Sequence, residues 1–446
     1  MIKSPQNKQT KGVCLMSDHI KKMLRITDPS LKIMDVSYET IKSRQIIVIT
    51  ANFSPNQKSC PNCGCTAQNQ FGNPSIVKNG KKCVRVRLDQ YNHLPTIMKL
   101  FKQRYRCKEC SSHWTAQSTL VEKRCSIGYH VKFKIIDLLK EKCSLTLIAK
   151  LCHVSITTVI RILKGLRTYI PNSKTSTLPT VLMVDEFRSH ASLEDKMSFI
   201  CADGETGKLV DILPTRKLNR LTHYFMENPS RMNVRYLVTD MNAAYDQLTK
   251  RVFPNAKVVI DRFHIIKHLN KSFQDFRIKE MKRIAMTKNK EAYFKLKANW
   301  RYLTKNRQSI QYTEYKTWRS FRAPKYPHLT EAMMIDRLLN YSPVLKETYD
   351  YFHNISDALR EKEPNLFFTL INELPEHLDE SFRKKLQGLT KYEDGIRNAM
   401  IYPYSNGKIE AKNTHIKTLK RVSYGFKSFD NMRTRIFMMN QLIIIK

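Results

Sequence analysis

Apolar residues along this 446-residue chain change their spacing several times. Short β-type runs at 33–36 and 46–51 come first. A cysteine-rich, basic stretch at 58–115 follows, with β-prone pieces at 84–88 and 101–106. From 131 to 166 the apolar residues recur every three or four positions, which predicts helices. A Pro/Ser/Thr stretch at 171–179 reads as a linker. Unbroken apolar runs return at 181–188, 197–202 and 208–213 and predict buried strands. The turn Asp203-Gly-Glu-Thr-Gly207 predicts a hairpin between the last two. A helix near 217–227, a strand near 234–239, a helix from 242 and a strand at 258–260 complete a β-β-β-α-β-α-β order. Residues 262–400 carry charged helical patterns without a strand signal, so they predict an insertion before a last helix at 407–420.

These shifts predict a multidomain α/β chain. Residues 1–15 form an extension, with Met16 an alternative start. Then come a cysteine module at 16–118, a helical module at 119–170 and a linker at 171–180. A mixed-sheet domain follows from 181–261 and 401–446, interrupted by a helical insertion at 262–400.

Charge narrows the class. Lys and Arg number 78 against 39 Asp and Glu, a net +39 spread along the whole length. That distribution points to a polyanionic partner and to a broad footprint on nucleic acid. No run of about 18 apolar residues is present to span a membrane. The expectation is a cytoplasmic, nucleoid-associated protein with no membrane partner.

The 11 cysteines are odd in number and clustered, which argues against a disulfide framework. Cys60-Pro-Asn-Cys63 and Cys107-Lys-Glu-Cys110 are two Cys-x-x-Cys knuckles. Each can present two thiolates from one turn, and together they supply the four soft ligands of a tetrahedral structural Zn²⁺. The gap of roughly forty residues exceeds ordinary finger spacing, so the prediction is a zinc ribbon with a large loop. Cys65, Cys83 and His113 are spare candidates. Unliganded thiols or a redox pair are the alternatives.

The stretch 144–163 reads as two helices joined by the turn Cys152-His-Val-Ser155, with Ser155 an N-cap. Leu147, Ile148 and Leu151 form the first apolar face; Val159, Ile162 and Leu163 form the second. Ile156, Thr157, Thr158, Arg161 and Lys164 are left outward, suited to a major groove in a helix-turn-helix. A plain helical hairpin is the alternative.

Three carboxylates stand apart. Asp185 lies in the run Val181-Leu-Met-Val-Asp-Glu-Phe187, Asp240 ends Tyr236-Leu-Val-Thr-Asp240, and Glu410 follows Ser405-Asn-Gly407. Strand order with acids at the first and fourth strands is the pattern of a ribonuclease-H-like fold. Its adjacent central strands would bring Asp185 and Asp240 together, and the late helix would add Glu410. Hard oxygen ligands gathered this way suit two divalent cations, Mg²⁺ or Mn²⁺, that clamp an in-line phosphoryl transfer. Glu186 rivals Asp185, because a central strand is buried on both faces. Asp261 either supports the site or caps the next helix, and His264 and His268 stay unassigned. On the last helix Glu410, Asn413 and Lys417 share a face, with Lys420, Arg421 and Arg435 adding charge toward DNA. A solvated helix of mixed charge is the alternative there.

Taken in order, these motifs resemble bacterial DDE transposases of the ISL3 (insertion-sequence L-three) family. The carriers are Cys-Pro-Asn-Cys, Arg-Tyr-Arg-Cys-Lys-Glu-Cys, the two-helix stretch, Val-Asp-Glu-Phe, Val-Thr-Asp-Met, Ile-Asp-Arg-Phe-His-Ile-Ile-Lys and Ser-Asn-Gly-Lys-Ile-Glu-Ala-Lys-Asn-Thr-His-Ile-Lys. The resemblance runs from Met16 onward. It implies that Asp185, Asp240 and Glu410 are the DDE acids. It also implies that the zinc and helix-turn-helix modules read the terminal inverted repeats of an element. The expected function is Mg-dependent cleavage and strand transfer on double-stranded DNA, by a homo-oligomer assembled on the element ends and the target. A non-catalytic, domesticated DNA-binding regulator is the alternative.

Overall fold

The computed structural model describes residues 18–41, 43–171, 177–189, 196–287, 289–318 and 328–443. The expected extension at 1–15, the start at Met16 and linker residues 172–176 lie outside these. The chain divides into two compact units, residues 1–170 with 418–446, and residues 171–417.

The first unit is built on a five-stranded sheet. Its strands are β1 (Leu31–Ile41), β2 (Arg44–Phe53), β3 (Ile76–Arg87), β4 (Thr96–Cys107) and β5 (His113–Thr115), in the order β1-β2-β4-β3 with β5 on β4. Along β4, Met98 and Leu100 are fully buried while intervening residues are less so, the period-two pattern of a half-covered strand. They meet Leu31, Ile49, Ala51 and Val86 in one apolar core. The β3–β4 hairpin occupies the stretch between the two cysteine knuckles. Its knuckles precede β3 and follow β4, so pairing of the two strands brings the four cysteines to one end.

Three helices follow: α1 (Tyr129–Lys140), α2 (Leu145–Leu151) and α3 (Ile156–Gly165). Ser144 and Ser155 cap α2 and α3 by accepting from the N–H groups of Leu147 and Thr158, as expected of Ser155. The predicted first face shifts by one position. Ile148 and Ala149 are buried, whereas Leu147 and Leu151 are 43% and 38% exposed. A seven-residue helix buries one narrow stripe, and Ile148 with Cys152 one turn on supplies it.

The second unit holds the sheet β6 (Val181–Arg188), β7 (Met197–Asp203), β8 (Leu209–Leu213), β9 (Tyr236–Thr239) and β10 (Lys257–Ile260), in the order β10-β9-β6-β7-β8. The first three strands are antiparallel neighbours; β6, β9 and β10 run parallel. Helices α4 (Leu218–Met226) and α5 (Ala243–Val252) cover one face through Leu221, Phe225, Tyr245 and Leu248. A run of helices then occupies 262–401, from the long α6 (Arg262–Met286) to α7 (Glu393–Ile401). Among its described residues no strand forms beyond an isolated Lys316–Leu329 bridge. Helix α7 lies close on β10: a Cβ on Gly395 would stand 2.7 Å from the Ile260 side chain. Two last helices close the chain, α8 (Gly407–Val422) and α9 (Phe429–Met439).

In the first unit α9 is locked onto α1 by Arg435, which is fully buried. Its Nε, Nη1 and Nη2 donate to the carbonyls of Leu139 (3.2 Å), Cys143 (2.9 Å) and Glu141 (2.6 Å). These carbonyls lie at and just beyond the C-terminus of α1, where helical acceptors lack partners. Arg435 is therefore a helix-end clamp, and the expectation that it adds surface charge toward DNA is corrected. Arg167 adds a second tie, to Asp430 (3.1 Å) and Asn431 (2.7 Å) on α9.

Candidate active site

Register gathers the acids. Parallel pairing of β6 with β9 runs through Met183 opposite Val238; two residues further come Asp185 and Asp240. Pairing of β10 with β9 runs through Ile260 opposite Thr239, and Asp261 follows, its N–H donating to the Thr239 carbonyl at 2.9 Å. Three carboxylates thus stand where the parallel pairing stops, Asp240 and Asp261 just past the ends of β9 and β10 and Asp185 within β6 two residues beyond its last partner on β9, the edge of an open α/β sheet where ligands bind.

Helix α8 brings the fourth. Its start is seated by Asn406, which is buried. The Asn406 N–H donates to Asp261 Oδ1 (3.3 Å) and its side-chain amide to the Val184 carbonyl (3.4 Å). Lys408 Nζ reaches the carbonyls of Gly204 (3.0 Å) and Glu205 (2.5 Å). Glu410 then lies one turn into α8, with Oε1 at 3.8 Å from His264 Nε2; the same nitrogen is 3.1 Å from Asp240 Oδ1. Asn413 sits inward, 5% exposed, and its Nδ2 donates to Asp185 Oδ2 at 2.6 Å. It orients an acid here, where sequence reading set it toward DNA. Lys417 and Arg421 are exposed, and Lys420 is half-buried.

Asp185 and Glu186 separate as alternate residues of a strand must. Asp185 faces Asn413. Glu186 is held by Arg216 (2.5 Å), the Tyr245 hydroxyl (2.8 Å) and Asn242 (3.3 Å). Both border a cleft of about 420 Å³ lined also by Met197, Asp240 and Tyr392.

The electrostatics favour a cation. Burial pushes the Asp185 carboxyl above its ordinary value, opposed by the Glu186 N–H and by Asn413. Burial also pushes Asp240 up to about 6; His264 opposes this, while the charges of Asp185, Asp261 and Glu186 add to it. Crowded carboxylates raise one another in this way until positive charge enters. Asp261, His264 and Glu410 each offer a donor atom within 4.8 Å of the other two. Sequence reading left His264 unassigned. The signal was its place three residues after Asp261, which puts both on the first turn of α6.

The four predicted thiols Cys60, Cys63, Cys107 and Cys110 also lie within 4.8 Å of one another and could hold zinc. Cys60 Sγ is 3.7 Å from Cys110 Sγ, and Cys63 Sγ is 3.8 Å from Cys107 Sγ. The Ser112 hydroxyl holds the Cys110 thiol down at about 5. Of the spare candidates, Cys65 borders the cluster, with Sγ 3.4 Å from Cys107. Cys83 is exposed on β3, and His113 faces Asn79. On α3, Thr157, Arg161 and Lys164 are exposed and Thr158 half-buried, while Val159 and Leu163 are fully buried. Among the described residues no single helix is long and apolar enough to cross a membrane.

A protein described as an ATP-dependent protease of Lactococcus lactis subsp. lactis is 40% identical over 110 residues. That match covers 24% of this chain and 35% of the relative, so the chain spans about a third of that protein's length. The ISL3-type DDE family, described as transposase, matches residues 182–436, more than half of the chain and all the acids of the site. The chain belongs to the ISL3 family of DDE transposases.

Proposed function

We propose that this transposase binds the terminal inverted repeats of its element, cleaves DNA there and joins the freed ends to a target. Asp185, Asp240 and Glu410 are the catalytic acids of a ribonuclease-H-like domain. The observation that carries this reading is the convergence of carboxylates from β6, β9 and α8 at one sheet edge. The order β8-β7-β6-β9-β10, three antiparallel strands followed by two parallel ones, supports the fold.

Bound Mg²⁺ or Mn²⁺ would supply Lewis-acid stabilisation and a water more acidic than bulk. The protein's own part is positioning. Asn413 and the Glu186 N–H hold both oxygens of Asp185. His264 bridges toward Asp240 and Glu410. A scissile phosphodiester laid along this edge meets its attacking oxygen in line. Water forms a new P–O bond as the P–O3′ bond breaks, leaving a 5′-phosphate and a free 3′-hydroxyl; that hydroxyl then forms a P–O bond at a target phosphodiester, whose own 3′-oxygen leaves and takes up the proton. Neither displacement needs a covalent enzyme intermediate, only orientation and charge stabilisation.

Sequence readout falls to the first unit. A zinc ribbon on Cys60, Cys63, Cys107 and Cys110 would brace the sheet, and α3 would enter a major groove with Thr157, Thr158, Arg161 and Lys164. Lys417, Lys420 and Arg421 would contact phosphates, and the active form is a homo-oligomer on DNA.

The test is incubation of purified protein with labelled element ends and Mg²⁺. Wild type should nick at the element boundary. Asp185→Asn, Asp240→Asn and Glu410→Gln should bind ends but not cleave. Cleavage by Glu410→Gln at the wild-type rate refutes the assignment. Tight end binding by a wild type that never cleaves favours the domesticated regulator.

A further inference from the structure

The three proposed catalytic acids leave part of the polar cluster unexplained. Asp261 precedes the first residue of α6, where an aspartate ordinarily accepts from the helix's first N–H groups, a bond worth about 1 kcal/mol. Its side chain makes no such capping bond. Yet Asp261 is only 3% exposed, and among the described residues its carboxylate accepts one long bond, from the Asn406 N–H at 3.3 Å. A carboxylate buried with so little compensation calls for a positive partner.

The surroundings name the kind of partner. The spacing of Asp261 and His264 sets both on one side of the first turn of α6. His264 Nε2 points among carboxylates, 3.1 Å from Asp240 and 3.8 Å from Glu410. Donor atoms of Asp261, His264 and Glu410 are mutually within 4.8 Å, which contraction onto one ion can close. An imidazole nitrogen among carboxylate oxygens is a borderline ligand set. It suits Mn²⁺ better than the all-oxygen preference of Mg²⁺.

We propose that Asp261 and His264 are direct ligands of an active-site divalent cation, which they hold together with Glu410. This rests on the reading that the site works with divalent cations. It gives the DDE site one nitrogen ligand and two residues beyond its three acids. The helix start at Asp261 then serves the ion in place of the helix.

The experiment is pulsed electron paramagnetic resonance of Mn²⁺ on the untagged full-length protein, with binding titrated in parallel. Wild type should show spin-echo modulation from a directly bonded ¹⁴N nucleus. Labelling with ¹⁵N-histidine should alter that modulation without any substitution, so the test survives even if a variant misfolds. His264→Gln should lose the modulation and bind Mn²⁺ about tenfold more weakly or worse. Asp261→Asn should weaken binding while keeping the nitrogen signal, and His268→Gln should change neither. Nitrogen coupling that persists in His264→Gln overturns the proposal. A wild type that cleaves element ends but shows no nitrogen-bonded Mn²⁺ overturns this proposal alone. One that neither cleaves nor binds Mn²⁺ overturns the reading beneath it as well.

Discussion

Replacing Arg435 should loosen the three-helix part of the first unit and leave the second unit intact. The side chain is fully buried and donates to three carbonyls at the end of α1. Each bond from a charged donor contributes about 1.5–3 kcal/mol net, and each buried carbonyl left unpaired costs about 1–3 kcal/mol. Burying the guanidinium offsets part of this, and water entering the hole satisfies some acceptors. Three lost bonds less these offsets leave about 3–5 kcal/mol as the expectation for Arg435→Ala. Arg435→Met keeps the stem's volume but no donor and should cost somewhat less. Hydrogen exchange followed by peptide is the suitable assay, because a two-unit chain need not unfold in one step. Peptides from 129–165 should exchange roughly a hundredfold faster or more in Arg435→Ala, at about 1.4 kcal/mol per factor of ten. Peptides from 197–213 should be unchanged. Exchange in 129–165 within threefold of wild type would refute the clamp.

Three further outcomes are expected. Without added divalent cation, Asp240 ionises at about 6 in the folded chain against about 3.9 when unfolded. Ionisation therefore costs nothing below pH 4, and the cost grows from pH 4 to 6 and is complete above. Asp240→Asn should raise the melting temperature at pH 7 but not at pH 4; with the carboxylate 35% exposed, the gain is discounted to about 1 kcal/mol, and equal shifts at both pH values would exclude it. Protein purified without chelator should carry one zinc per chain by elemental analysis. Cys60→Ser or Cys107→Ser should lose it together with exchange protection in β3 and β4, and protection that outlasts the zinc would contradict a structural ion. Arg161→Ala should weaken end binding by about 1–3 kcal/mol if the guanidinium reads a base, and in proportion on all DNA if it meets a phosphate; an unchanged anisotropy titration counts against α3 as the reading helix.

Much of the second unit was legible because its strands are unbroken Val, Leu and Met runs whose order alone suggests which acids meet. The site's supporting residues were not. Asn406, Asn413 and His264 look like ordinary helix residues until α8 and α6 are brought to the sheet edge, a contact far apart in sequence. Alternation could not separate Asp185 from Glu186, since β6 is covered on both faces; the structure gives them different partners, Asn413 for Asp185 and Arg216 with Tyr245 for Glu186. In the first unit, β3 is mostly polar and exposed, with a register shift between Lys78 and Lys81. Only its 84–88 end therefore carried a strand signal. Arg435 was misread because arginine is seldom fully buried, and its first partner, Leu139, lies 296 positions away.

The thiol cluster has a consequence for how the protein ages. A disulfide needs its sulfurs about 2.05 Å apart, and Cys65–Cys107, Cys60–Cys110 and Cys63–Cys107 already stand at 3.4, 3.7 and 3.8 Å. A zinc ion held in such a nest would act as a protecting group, occupying the sulfur lone pairs that an oxidant would otherwise couple. Were such an ion lost under oxidising conditions, several crosslinks would compete for the same sulfurs. Each consumes at least one zinc ligand, so returning zinc finds an incomplete set. Reductant, not metal, then becomes the limiting reagent for repair.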